Sequence, residues 1–121
     1  MDKKTLLIID DDSRNIFALS AILKAKAFEC ISRTGAQEAI EFLKTEHPVD
    51  YILIDMMMPD MDGYEAIPLI KSIDRRSNVP VFAVTAQAMV GDREKCLQAG
   101  ADDYISKPID VDRLLMKLGK T

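Results

Sequence analysis

The chain has 121 residues, 48% hydrophobic and 30% charged, with a net charge of −4. That length suits one compact domain, residues 1–121, and the composition excludes a disordered chain. The 16 basic residues are spread along the chain with no stripe for nucleic acid, and no apolar run is long enough for a signal peptide or a membrane span.

Leu6-Leu7-Ile8-Ile9 is a short continuous apolar run that ends at Asp10-Asp11-Asp12. Such runs are too short for an ordinary helix and read as strands buried on both faces. Ile16, Leu19, Ile22 and Leu23 follow at helical spacing, with Ser13 as a candidate N-cap. Glu29–Ser32 is a weak second strand, and Ala36, Ala39, Ile40 and Leu43 mark a second helix with Thr34 or Gly35 near its cap. Tyr51-Ile52-Leu53-Ile54 is a further strand and ends at Asp55. A third helix is predicted from about Gly63 to Ile73, with Pro68 inside it, where a missing N–H should kink or delay it. Val81–Val84 ends at Thr85, a fourth helix runs from Gly91 to Ala99 and stops at Gly100, and Tyr104-Ile105-Ser106 is a weak last strand. Asp110 to Leu118 form a fifth helix with charges that suit its dipole. Five alternations of strand and helix predict a doubly wound parallel sheet with helices on both faces. Cys30 and Cys96 form no close-spaced metal pair, so the chain reads as a reduced, cytoplasmic domain.

Ligand sites in open α/β sheets lie beyond the carboxyl ends of the strands. Those ends carry Asp10, Asp11, Asp55, Thr85 and Lys107. Three carboxylates in one crevice repel each other, so a cation is expected with them, and hard oxygen donors suit Mg2+. Lys107 supplies a point charge for Asp55 or for a phosphoryl oxygen, and Thr85 a hydroxyl donor. A carboxylate nucleophile, a metal and a fixed cation are what phosphoryl transfer requires.

Four segments carry a resemblance: Ile8-Ile9-Asp10-Asp11-Asp12, Ile54–Gly63 with its Met-Met-Met-Pro-Asp-Met-Asp core, Val84-Thr85-Ala86, and Ser106-Lys107-Pro108. In this order and spacing the chain resembles the receiver domain of two-component response regulators over its whole length. The resemblance implies a flavodoxin-like sheet of five strands in the order 2-1-3-4-5, the order of chemotaxis receivers. It implies that Asp55 is the phosphoacceptor and that Asp11 binds Mg2+ directly, with Asp10 doing so directly or through water. Met57 would offer its backbone carbonyl to the metal, and Thr85 and Lys107 would bind the phosphoryl group. A cis Lys107–Pro108 peptide is implied, as is a switch in which Tyr104 turns inward when Thr85 moves and alters the face of the fourth helix, fifth strand and fifth helix. The family sets phosphoryl lifetime at two positions, here Met57 and Gln87; Met57 cannot orient water and Gln87 could, so an intermediate lifetime is expected. The implied partner is a histidine kinase or histidine phosphotransfer protein, with the chain a monomer or a weak phosphorylation-dependent dimer and neither nucleic acid nor membrane engaged. Ala27 stands where the family often has glycine. Asp10-Asp11 followed by Asn15 resembles receivers joined to hybrid kinases. No output domain follows the fifth helix, so direct control of transcription is not expected.

Blander readings hold elsewhere. Asp12 is expected to cap the first helix rather than bind metal. Asp60 and Asp62 are turn residues, because an EF-hand starting there would need Glu where Lys71 stands. Met56, Met57, Met58 and Met61 read as loop and core packing, and both cysteines as inert. His47, the one histidine, precedes Pro48 at the far end of the sheet, so a phosphodonor must come from outside. An aspartyl phosphatase would want a second acid at Met57, and a degenerate binding module would lack part of the acid and lysine set. The chain is therefore expected to modify itself and not to act as an enzyme on another substrate.

Overall fold

The computed structural model describes residues 3–86 and 91–119. In chain order they form β1 (Lys4–Ile9), α1 (Ser13–Ala25), β2 (Phe28–Arg33), α2 (Ala36–Leu43), β3 (Tyr51–Asp55) and α3 (Gly63–Lys71). A 3-10 turn (Asp74–Arg76), β4 (Val81–Thr85), α4 (Asp92–Ala99), β5 (Asp103–Ser106) and α5 (Val111–Lys117) complete the order. All strand pairs are parallel and the sheet order is β2-β1-β3-β4-β5, as expected.

Strand side chains alternate between two cores. Leu7, Ile9, Ile52, Ile54, Val81 and Ala83 pack on one face with Ala39, Leu43, Ile67, Ile70 and Cys96. Leu6, Ile8, Leu53, Phe82, Val84 and Ile105 pack on the other with Ile16, Leu23, Leu114 and Leu115. Burial on both faces explains why the strands read as unbroken apolar runs, and each fully buried aliphatic side chain contributes about 1.5–3 kcal/mol before entropy is set against it.

Local chemistry refines several boundaries. Asp12, not Ser13, is the N-cap of α1: its Oδ1 accepts from the Arg14 N–H at 2.9 Å. Asp62 and Glu65 form a reciprocal capping box that starts α3 on time, and the helix continues through Pro68. It ends at Lys71 rather than Ile73, because Ser72 caps it and the 3-10 turn follows. Ala27 occupies the left-handed region at φ 70°, so the turn into β2 keeps the glycine-type backbone without the glycine. Gly63 is required for packing: a Cβ there would lie 2.9 Å from the Met56 Cα, so α3 sits directly against the residue after Asp55. At the opposite end of the sheet, buried Arg76 donates from Nε to the Leu43 carbonyl at 2.9 Å and from Nη2 to the Thr45 and His47 carbonyls at 2.9 and 2.8 Å. It thereby satisfies the last carbonyl of α2 and two carbonyls of the loop that follows it.

Candidate functional site

Parallel pairing brings the carboxyl ends of the strands to one edge. Asp10 follows β1, Asp55 ends β3 in register with Val84, and Thr85 ends β4 in register with Ser106. The Lys107 N–H donates to the Thr85 carbonyl at 2.8 Å, so the ladder carries the lysine to the edge where Asp55 stands.

Asp55 is only 5% exposed, and its Oδ2 accepts from Lys107 Nζ at 3.1 Å. Its Oδ1 accepts from the Met57 N–H at 3.0 Å, which fixes the carboxylate plane. Asp10 Oδ1 accepts from the Asp12 N–H at 2.9 Å. Asp10, Asp11 and Asp55 each place a carboxylate oxygen within 4.8 Å of the others.

Burial pushes the Asp10 carboxyl above its usual value; the Asp12 N–H and Lys107 oppose this, while the charges of Asp55 and Asp11 add to it. Burial alone would lower Lys107, yet the hydrogen bond and charge of Asp55, with the charges of Asp10 and Asp11, raise it and hold the ammonium. Three carboxylates face one ammonium, leaving an uncompensated negative charge lined by hard oxygens. That donor set fits a divalent cation of the Mg2+ type.

The structure thus brings together Asp10, Asp11, Asp55 and Lys107, with Thr85 buried at the end of the adjoining strand. Met57 differs from its neighbours: its side chain is 55% exposed, whereas Met56 and Met58 are buried. Tyr104 is half-buried against the core that holds Ala83, its register partner. The Lys107–Pro108 peptide is cis. Gln87 lies outside the described residues. Sequence reasoning gave Asp12 a capping role only and missed that its N–H also holds Asp10. It also missed a groove of about 480 Å3 beside the acids, whose α1 wall is Asn15, Ala18, Leu19 and Ile22. The signal was present, since those positions share one helical face.

The family model described as the response regulator receiver domain matches residues 6–119. The signal transduction histidine-protein kinase BarA of Escherichia coli strain K12 is 40% identical over 110 residues, 91% of this chain and 12% of that protein. The chain therefore spans only about an eighth of that relative's length. The receiver domain of sensor histidine kinase PA1611 from Pseudomonas aeruginosa, solved with magnesium in its active-site cleft, superposes with a TM-score of 0.88 at 31% identity, covering 98% of this chain and 97% of that one. The Ssk1 receiver domain of Saccharomyces cerevisiae, co-crystallised with the histidine phosphotransfer protein Ypd1, gives a TM-score of 0.85 at 26% identity, covering 95% and 86%.

Proposed function

Because the chain belongs to the response regulator receiver domain family, we propose that Asp55 accepts a phosphoryl group from a phosphohistidine and that the domain passes the signal on by changing shape. The observation that carries this reading is a buried carboxylate held at 3.1 Å by a lysine inside a cluster of two further acids. In the transfer, an Asp55 oxygen forms the new O–P bond as the donor's N–P bond breaks. The bonding pair leaves with the donor imidazole. Lys107 keeps its place and exchanges partners, pairing with Asp55 at rest and with a phosphoryl oxygen afterwards. Thr85 donates its hydroxyl to another phosphoryl oxygen, and its movement draws Tyr104 inward, which reshapes the face of α4, β5 and α5.

Asp10, Asp11 and Asp55, with the Met57 backbone carbonyl, would hold Mg2+, which when bound neutralises charge on the transferred group. The magnesium in the PA1611 receiver cleft supports this assignment. The donor is a histidine kinase or a histidine phosphotransfer protein, a partner class supported by the complex of Ssk1 with Ypd1. Its histidine must reach Asp55 past the groove between α1 and the β5–α5 connection, where Leu19, Ile22, Pro108 and Ile109 offer apolar contact. The chain alters its own side chain rather than an outside substrate. Two free cysteines suit a reducing, cytoplasmic setting, and no helix among the described residues is long and apolar enough to cross a membrane.

Treatment with acetyl phosphate and Mg2+, read by intact mass, tests the reading. One phosphoryl group on the wild type is expected, with none on Asp55→Asn and none without the metal. An unmodified wild type that also fails to bind beryllofluoride would leave only a degenerate binding module.

A further inference from the structure

Asp12 stands between the acid site and α1 and is bonded to both. Its N–H donates to Asp10 Oδ1 at 2.9 Å. Its own Oδ1 accepts from the Arg14 N–H at 2.9 Å, and its carbonyl accepts from the Ile16 N–H at 3.1 Å. The first bond fixes the plane of the Asp10 carboxylate and leaves Oδ2 for a cation. The other two hold the first turn of α1, which contains no acidic residue of its own to complement the helix dipole. From that turn α1 goes on to present Asn15, Ala18, Leu19 and Ile22 to the groove that Asp10 and Lys107 rim. At Asp55 the two tasks are separate: the Met57 N–H holds the carboxylate at 3.0 Å, and Asp62 caps α3 from further along the loop.

Among the described residues the converging carboxylate oxygens belong to Asp10, Asp11 and Asp55, while the Asp12 Oδ1 is turned to the helix. We propose that Asp12 is a positioning residue that couples cation binding at Asp10 to the order of the first turn of α1, and through that turn to the groove wall that meets the phosphohistidine donor. A group that hydrogen-bonds a metal ligand fixes the ligand's orientation and strengthens binding of the metal. When the cap is lost the first turn frays, the Asp12 N–H loses its fixed direction and the Asp10 carboxylate turns freely. Coupling of this kind is reciprocal: a cation that fixes Asp10 also steadies Asp12 and the start of α1. The domain would then meet its donor with the groove wall best formed when the metal is in place. The inference rests on the receiver reading for the identity of the cation and the donor, but the coupling itself requires no phosphoryl transfer.

The test follows amide shifts and hydrogen exchange of the isotope-labelled chain as Mg2+ is added. In the wild type, saturating Mg2+ should slow exchange of the Arg14 and Ile16 amides roughly ten-fold, a measurement that needs no variant. Asp12→Ala should weaken Mg2+ binding roughly ten-fold and abolish that protection. Asp12→Asn, whose side-chain oxygen still caps the helix, should stay within about three-fold of the wild type. Unchanged amide positions in β3 and β4 show that the alanine variant folds. Asp110→Ala is the matched control: it removes the α5 cap, which accepts from the Arg113 N–H at 3.2 Å, and leaves the bond between Asp10 and Asp12 in place. Its Mg2+ affinity should equal that of the wild type. Exchange at Arg14 and Ile16 that ignores Mg2+ would overturn the proposal. So would Asp12→Asn binding as weakly as Asp12→Ala, which would make the Asp12 charge the cause, or equal weakening by Asp110→Ala, which would make general loss of stability the cause. Acetyl phosphate labelling reports separately: a wild type that shows the coupling and takes no phosphoryl group sinks the receiver reading and leaves this one standing.

Discussion

Two grooves meet at Pro108, and they are of similar size, about 480 and 390 Å3. The first lies between α1 and the β5–α5 connection and is walled by Ala18, Leu19, Ile22, Ile109 and Val111, with Asp10 and Lys107 at its rim. The second lies along β5 and is walled by alternating charges. A partner of the first gains by removing apolar surface from water, at about 25 cal/mol per Å2, and that gain is little affected by salt. A partner of the second gains by charge pairing, which added salt screens. A phosphohistidine donor that enters by the first groove would leave the second uncovered. The one segment common to both is the connection that carries Lys107, with Pro108 lining each groove.

Lys107 is where the comparison should break most severely. Replacing it with methionine keeps the length of the side chain and removes the only cation that touches Asp55 among the described residues. Phosphoryl transfer, from acetyl phosphate and from a phosphohistidine protein alike, should fall roughly 100-fold or more, the effect of deleting one fixed charge aimed at a reacting group. Ile22→Glu should separate the two donors. Ile22 is 40% exposed on the wall of the apolar groove. A carboxylate there should slow transfer from a phosphohistidine protein by roughly ten-fold while leaving acetyl phosphate labelling unchanged. Equal slowing with both donors would mean that the substitution disturbs the acid site and that the groove is not the input face.

The difference between the grooves also marks what the sequence disclosed. The strands, their parallel order and the acid site were legible, because unbroken apolar runs ending in Asp10, Asp55 and Thr85 leave few alternative topologies. Both Ser13 and Asp12 were legible as caps of α1, and only backbone geometry chooses Asp12. Pro68 does not delay α3, because the capping box of Asp62 and Glu65 fixes its start upstream. One wall of the first groove was legible as a face of α1, but neither groove was legible as a cavity: each is made by elements far apart in sequence, α1 with residues 107–111 and α4 with β5 and α5. Nor did sequence show that Met57, alone among Met56, Met57 and Met58, faces outward, since the loop after β3 has no periodicity to read.

A smaller effect should appear at the rim the first groove shares with the acid site. The Asp10 carboxyl is raised by burial and by its acidic neighbours, so the folded state binds its proton more tightly than the unfolded chain. Its contribution to stability therefore declines as pH rises through the unfolded value of 3.8 and then the folded one, and at neutral pH the charge destabilises the metal-free fold. Asp10→Asn should raise the metal-free melting temperature by about 2–5 °C, while its amide oxygen can still accept from the Asp12 N–H. Added Mg2+ should raise the wild-type melting temperature and leave that of the variant nearly unmoved. A variant that melts lower in EDTA would show that the carboxylate is better solvated than its burial implies.

The smallest effect belongs to the charged groove. Asp103 and Lys117 are 30% and 27% exposed, so their contact is partly screened and contributes about 1 kcal/mol or less. The folded Asp103 carboxyl lies below its ordinary 3.8. Its stabilisation is thus complete above 3.8 and is lost as pH falls through the lower folded value. A carbon-detected NMR titration should find the Asp103 carboxyl below 3.8 in the wild type and higher in Lys117→Met, with little change in melting temperature at neutral pH. If Asp103 titrates alike in both proteins, Lys117 is not committed to it, and the contact between them contributes nothing to the fold.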